Sequence, residues 1–311
     1  KINTGTGNIG LGYEVLGALT TGANNVAIGG YALDGTTTNN YNTAIGYSAL
    51  GGALTADYNT AVGANALLVC TSGHYNNAFG YAALDACTTG TLNVGVGSLA
   101  LGAHTTGNSN TAVGNAALAA NTTASQNTAV GGYALDANTT ASNNTAVGYN
   151  AGGALTTGHQ NVAIGAGALA TETDGNAKTA VGYNALATDA STDGSTGIGY
   201  HALYANTTGA ENVAVGRSAL AACTTGGTNT AVGTWCLDAN TTGYNNTSMG
   251  YGSGGAVTTG INNTVMGKEA LASCTTGGYH VAIGMTALSA IVSANSSVGV
   301  GYDALKASTS G

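Results

Sequence analysis

The chain has 311 residues, 52 of them glycine and none proline, with 43% apolar and only 6% charged residues. Its 13 acidic and 5 basic side chains give a formal net charge of −8. That composition excludes a highly charged disordered tail and a collagen triple helix, and the scattered Lys and Arg and short apolar runs leave neither a nucleic-acid footprint nor a membrane span.

Along the chain, a glycine preceded by a bulky apolar residue returns every 17 residues. The series is Gly12, Gly29, Gly46, Gly63, Gly80, Gly97, Gly114, Gly131 and Gly148, then Gly165, Gly182, Gly199, Gly216, Gly233, Gly250, Gly267, Gly284 and Gly301. Eighteen copies of N-T-A-V-G-Y-x-A-L-x-A-x-T-T-G-x-x follow one another without insertion or deletion. We number each copy from its Asn, so the glycine is position 5 and Asn8 opens the first copy. A period held this strictly is what a stacked solenoid demands, because each coil must lie in register on the next. Seventeen residues are too few for a two-helix repeat, and Thr, Val, Asn and Gly suit short strands and corners. The expected fold is all-β: a parallel β-solenoid, or β-roll, of 18 coils, one continuous fibre segment over residues 1–311 without terminal caps. Stacking at about 4.8 Å per coil would make it roughly 85 Å long.

Strands are expected near positions 1–4 and 8–14. Position 4 is large and apolar in every copy, with Leu11, Ile28, Phe79, Met249 and Met266 among those replacing Val, and is expected to fill the core. Position 2 lies on the same face by strand alternation. Position 9 is Leu in 16 copies, Gly152 and Gly254 excepted. Position 13 accepts Leu54 and Val292 and is expected to face in; position 14 accepts Ser72, Asp174 and Ser293 and is expected to face out. The glycines at position 5 are read as corners that need positive φ or close backbone approach. Asn at position 1, present in 14 copies, can form a side-chain ladder along the stack or cap a turn.

Cys70, Cys87, Cys223 and Cys274 all stand at position 12. Cys70 and Cys87 belong to consecutive coils, so their Cα atoms should lie within disulfide range; small buried fillers are the competing reading. The spacing offers no zinc motif. His74, His104, His159, His201 and His280 scatter over four positions and read as surface or corner residues. Gly95-Val96-Gly97-Ser98-Leu99-Ala100 matches a dinucleotide fingerprint only as a copy with Gly in an Ala slot, so no cofactor and no catalytic residue are expected. Position 6 carries eight tyrosines, among them Tyr47, Tyr81, Tyr149, Tyr183, Tyr200 and Tyr251, a candidate contact ladder. Their amphipathic rings suit glycans, a second copy of the chain, or simple shielding of the strands. Position 14 gives one outward threonine column for ice, but position 16 breaks the second.

Asn25-Val26-Ala27-Ile28-Gly29, Asn161-Val162-Ala163-Ile164-Gly165 and Asn212-Val213-Ala214-Val215-Gly216 resemble the repeats of trimeric autotransporter adhesin heads. The longer Asn42-Thr43-Ala44-Ile45-Gly46-Tyr47-Ser48-Ala49-Leu50 is similar to repeats of phage tail-fibre-like and bacterial surface fibre proteins. The resemblance covers essentially the whole chain, although its coil is longer than that of the adhesin heads. It implies a left-handed roll, three chains side by side, projecting from a cell surface or virion. The expected function is therefore a non-enzymatic extracellular fibre segment, self-associating as a homotrimer or end-to-end filament and touching a host-surface glycan or protein. The alternative is a solenoid module that binds glycan or ice through outward Thr, Tyr and Asn ladders.

Overall fold

The computed structural model describes residues 4–52, 55–190 and 194–309. Contacts divide the chain into two compact units, Lys1–Thr157 and Gly158–Gly311. Both are parallel β-solenoids with 17 residues per coil.

In the first unit nine strands, β1 (Ile9–Leu11) to β9 (Thr145–Val147), recur at the repeat interval, each three residues long. Neighbours pair in parallel at a register of one full copy, as in Thr111↔Thr128, Ala112↔Ala129 and Val113↔Val130. Only positions 2–4 are strand. The second strand expected at positions 8–14 is replaced by turns and bends, and among the described residues there is no helix. The cause is local: positions 7, 9 and 17 repeatedly adopt positive φ, as in Ala116 (53°), Leu118 (53°) and Gln126 (62°). Such residues turn the chain sharply and cannot continue a pleat. Tying the turns together, Leu118 N–H donates to Ala134 O of the next coil at 3.0 Å, and Ala116 N–H to Ser98 O of the previous one at 2.9 Å.

The strand faces the opposite way from the expectation. The alanines at position 3, such as Ala44, Ala61, Ala112 and Ala129, are fully buried, whereas Ile45, Phe79 and Val130 at position 4 are 37–40% exposed. The reason is room. A Cβ placed on Gly95, at position 3, would already lie 3.4 Å from Leu84 Cδ1 of the preceding coil. The wall opposite the strand is filled by Leu at position 9 and Ala at position 8, leaving space for about one methyl group. Where Leu is lost, position 12 supplies the volume: Gly152 is accompanied in its coil by buried Leu155.

The position-5 glycines meet both requirements read from the sequence. Gly63 has φ 139°, and a Cβ on it would stand 2.3 Å from Gly80 O. Position 13 is half-buried rather than inward, and its threonine hydroxyls run along the stack: Thr105 Oγ1 donates to Thr122 O at 2.9 Å, and Thr122 Oγ1 to Thr139 O at 3.1 Å. Thr38, Thr89 and Thr123 at position 14 are exposed, while Leu54 lies outside the described residues.

The second unit repeats this plan from β10 (Val162–Ile164) to β18 (Val298–Val300). Its core departs more often from the consensus. Gly254 replaces the core Leu and Val257 of the same coil is buried. Ser248 and Ser253 replace two alanines of that coil and satisfy each other, Oγ to Oγ at 2.7 Å.

Candidate contact surfaces and buried polar columns

Two features face outward. The first is the strand face itself, where position 2 is half-buried and position 4 is an exposed apolar column: Val113 and Val147 in the first unit, Ile164, Ile198, Met249 and Met266 in the second. The second is aromatic. The position-6 tyrosines form pairs and short clusters, since Gly30, Ala64, Ser98 and Asn115 interrupt them. Tyr47 meets Tyr31 at 5.8 Å and Tyr149 meets Tyr133 at 5.9 Å, both edge-on. Tyr81 has no ring partner among the described residues.

Tyr183 and Tyr200 stack directly at 5.5 Å. His201 lies 4.0 Å from Tyr200 and 4.7 Å from Tyr204, and the Arg217 guanidinium sits over the Tyr200 and Trp235 rings. Tyr251 packs edge-on against Trp235 and carries Lys268 over its face. Sequence reasoning missed a tighter stack at position 17, where Tyr41, Tyr58 and Tyr75 lie parallel at 5.1 Å centroid spacing. Three tyrosines at one repeat interval were the available signal.

Two columns inside the coil are polar. At position 1, Asn performs both roles read from the sequence. Asn110 Oδ1 accepts the N–H of Asn127 at 3.0 Å, and Asn110 Nδ2 donates to Ala124 O at 2.8 Å, the carbonyl at position 15 of its own coil. The ladder thus joins coils and closes each one.

Position 12 is the other column. Cys70 and Cys87 are both fully buried free thiols, with hydrogen bonds to Gly73 O and Gly90 O. Contact with Cys70 and burial push the Cys87 thiol far above the ordinary range. Burial likewise pushes Cys223 of this column, and Cys236 in an alanine slot at position 8, up to about 11, so neither offers a ready thiolate at neutral pH. His104 follows in the next coil, buried rather than at the surface as expected. Its Nε2 lies 2.8 Å from Gly107 O and its Nδ1 3.2 Å from the Asn121 amide. Asn121 Nδ2 has no other partner. Turning that amide toward Nδ1 satisfies both groups and leaves a neutral ring with its proton on Nε2. Burial lowers the His104 pKa in agreement.

The second unit holds a cluster that the sequence reading did not single out. Lys178 takes the Asn place at position 1, and Glu172 and Asp189 occupy position 12 in consecutive coils. All three are fully buried. Lys178 Nζ contacts Glu172 Oε2 and lies 3.0 Å from Asp189 Oδ1. Glu172 Oε1 accepts the backbone N–H groups of Thr173, Asp174 and Gly175 at 2.9, 3.1 and 2.7 Å. Asp189 Oδ2 accepts Asn206 Nδ2 at 3.2 Å. The signal was a cation in an asparagine column with two acids in another column, a pairing that no strand or helix periodicity suggests.

Among the described residues no group of three metal-ligating side chains could hold an ion, and no helix is long and apolar enough to cross a membrane. The fold defines the class of the protein, a parallel β-solenoid repeat protein. No protein-family model matches the chain, and comparison with curated proteins finds no match.

Proposed function

We propose that the chain is a non-enzymatic segment of an extracellular fibre, a surface adhesin or phage tail-fibre-like shaft, that supplies reach and many weak contacts. The observation that carries this reading is the outward strand face. In every coil an apolar side chain at position 4 is half-buried or exposed on the outer face, beside Thr or Val at position 2 in all coils but those of Ile9 and Asn77. Contiguous exposed apolar surface of this kind marks an interaction face. A second copy laid alongside would cover it, and repetition would multiply contacts that are individually weak. The adhesin-like Asn-Val-Ala-Ile-Gly copies support the extracellular location and the side-by-side homotrimer; end-to-end stacking is the other mode of self-association.

Sedimentation and negative-stain imaging of the 311-residue chain test the proposal. Trimers or filaments are the expected result, and compact monomers at micromolar concentration would remove it. A second reading, glycan binding, is favoured by the cluster of Tyr183, Tyr200, His201, Tyr204, Arg217 and Trp235, whose faces suit the C–H surface of a sugar. Glycan-array binding by monomers, lost in Tyr200→Ala, would establish it instead.

A further inference from the structure

We propose that Lys178 and Glu172 condense to an intramolecular amide inside the second unit, with Asp189 as the base. Three observations converge on it. First, an amine and two carboxyl groups are sealed together with no exposed surface. An ion cluster is costly there, and burial favours neutral forms over charged ones. Second, the two oxygens of Glu172 have different surroundings. Oε2 faces the amine, while Oε1 lies in a nest of three backbone N–H groups. Third, Gly175 leaves the space for the meeting. A Cβ on it would stand 2.6 Å from Lys178 Nζ and 2.9 Å from Glu172 Cδ.

The step balances without a co-reactant. The ammonium passes one proton to Oε2, which frees the nitrogen lone pair. Nζ attacks Cδ, and the developing charge falls on Oε1, where the three N–H groups act as an oxyanion hole. Asp189 Oδ1 takes a second proton from the nitrogen and passes it to Oε2. The Cδ–Oε2 bond breaks and water leaves, so the nitrogen keeps one hydrogen and Asp189 ends as it began. Proximity in a closed core replaces the activation that such a condensation otherwise requires. The product exchanges a buried ion pair for a neutral amide linking positions 12 and 1 of successive coils. Asp189 remains held by Asn206.

The test is the intact mass of the purified, denatured chain. The expected mass is that of the sequence less one water, with fragmentation placing the link between Lys178 and Glu172. Lys178→Arg, Glu172→Ala and Asp189→Asn are each expected to restore the full mass of their own sequences. A wild-type chain at full sequence mass overturns the proposal, whether or not any variant folds. A link found between Lys178 and Asp189, or a link that persists in Asp189→Asn, overturns the assigned acceptor and base.

Discussion

The position-1 column differs between the two units. In the first it is asparagine throughout, from Asn8 to Asn144; in the second, Lys178, Ser195, His280 and Ser297 interrupt it. Each asparagine supplies one acceptor to the next coil and one donor to its own. His280 reproduces both with an imidazole: Ser297 N–H donates to Nδ1 at 3.3 Å and Nε2 faces Ala294 O at 2.7 Å. Ser195 reproduces them weakly, with Oγ contacts of 3.5 Å to Gly209 O and 3.3 Å to Asn212 N–H. Lys178 cannot accept at all, and its amine turns to position 12. The difference teaches that the column conserves hydrogen-bond function rather than a residue type, and that a break survives where the neighbouring column compensates.

Breaking the compensation should have the largest effect. Lys178→Ala leaves the Glu172 and Asp189 carboxyl groups buried with neither a cation nor an amide link beside them and should cost about 3–5 kcal/mol or more in urea unfolding. Replacing all three residues together, Lys178→Asn with Glu172→Asn and Asp189→Asn, restores the residue types of neighbouring coils. It should recover most of that loss. A triple variant no more stable than Lys178→Ala would show that the column cannot be mended in kind.

The regular column should be nearly as sensitive at a single site. Asn110→Ala strands the Asn127 N–H and the Ala124 carbonyl inside the coil. With about 1–2 kcal/mol for each unpaired group, the lower part of the usual range, the expected loss is about 2–4 kcal/mol in the same assay. The corresponding Ser195→Ala in the second unit, where the contacts are longer, should cost less. Equal losses would erase the distinction.

The histidines add a pH dependence that pure asparagine lacks. Burial holds the His280 and His104 pKa values below their usual 6.5. The unfolded chain therefore binds more protons than the folded one at acid pH, and stability falls as pH drops from about 6.5 toward the folded values. Protonation at His280 Nδ1 would also set a proton against the Ser297 N–H. His280→Asn together with His104→Asn should flatten this part of the stability profile, as measured by thermal melts between about pH 7.5 and about pH 5. An unchanged slope would assign the acid sensitivity to other groups.

How far the fold is legible in sequence follows from these columns. The strict period demands a stack, and the corner glycines and Asn ladder can be read from residue chemistry alone. The strand's orientation cannot, because hydrophobicity ranks Val above Ala while the thin coil admits only a small residue at position 3 wherever the preceding coil keeps its Leu; Val265 is buried there only behind Gly254. The turns at positions 6–12 escape a propensity reading because Leu118 and its equivalents adopt positive φ, which their side chains disfavour and the hydrogen bonds between coils impose. The Lys178 cluster is hidden for a further reason. Positions 1 and 12 meet only once the coil is closed.

The strand face supplies the smallest predicted effect and the sharpest check on orientation. Ala129 and Val130 are neighbours on β8 (Thr128–Val130), one fully buried and the other 37% exposed. Enlarging the inner residue, Ala129→Val, should cost about 1–3 kcal/mol through overpacking. Removing apolar surface from the outer one, Val130→Thr, should change the stability of an isolated chain by only about 0.5 kcal/mol. If copies pack along this face, the same Val130→Thr change should weaken association while leaving monomer unfolding almost untouched. Stability and sedimentation measured on the two variants would therefore separate the packing that builds the coil from the packing that joins one chain to another.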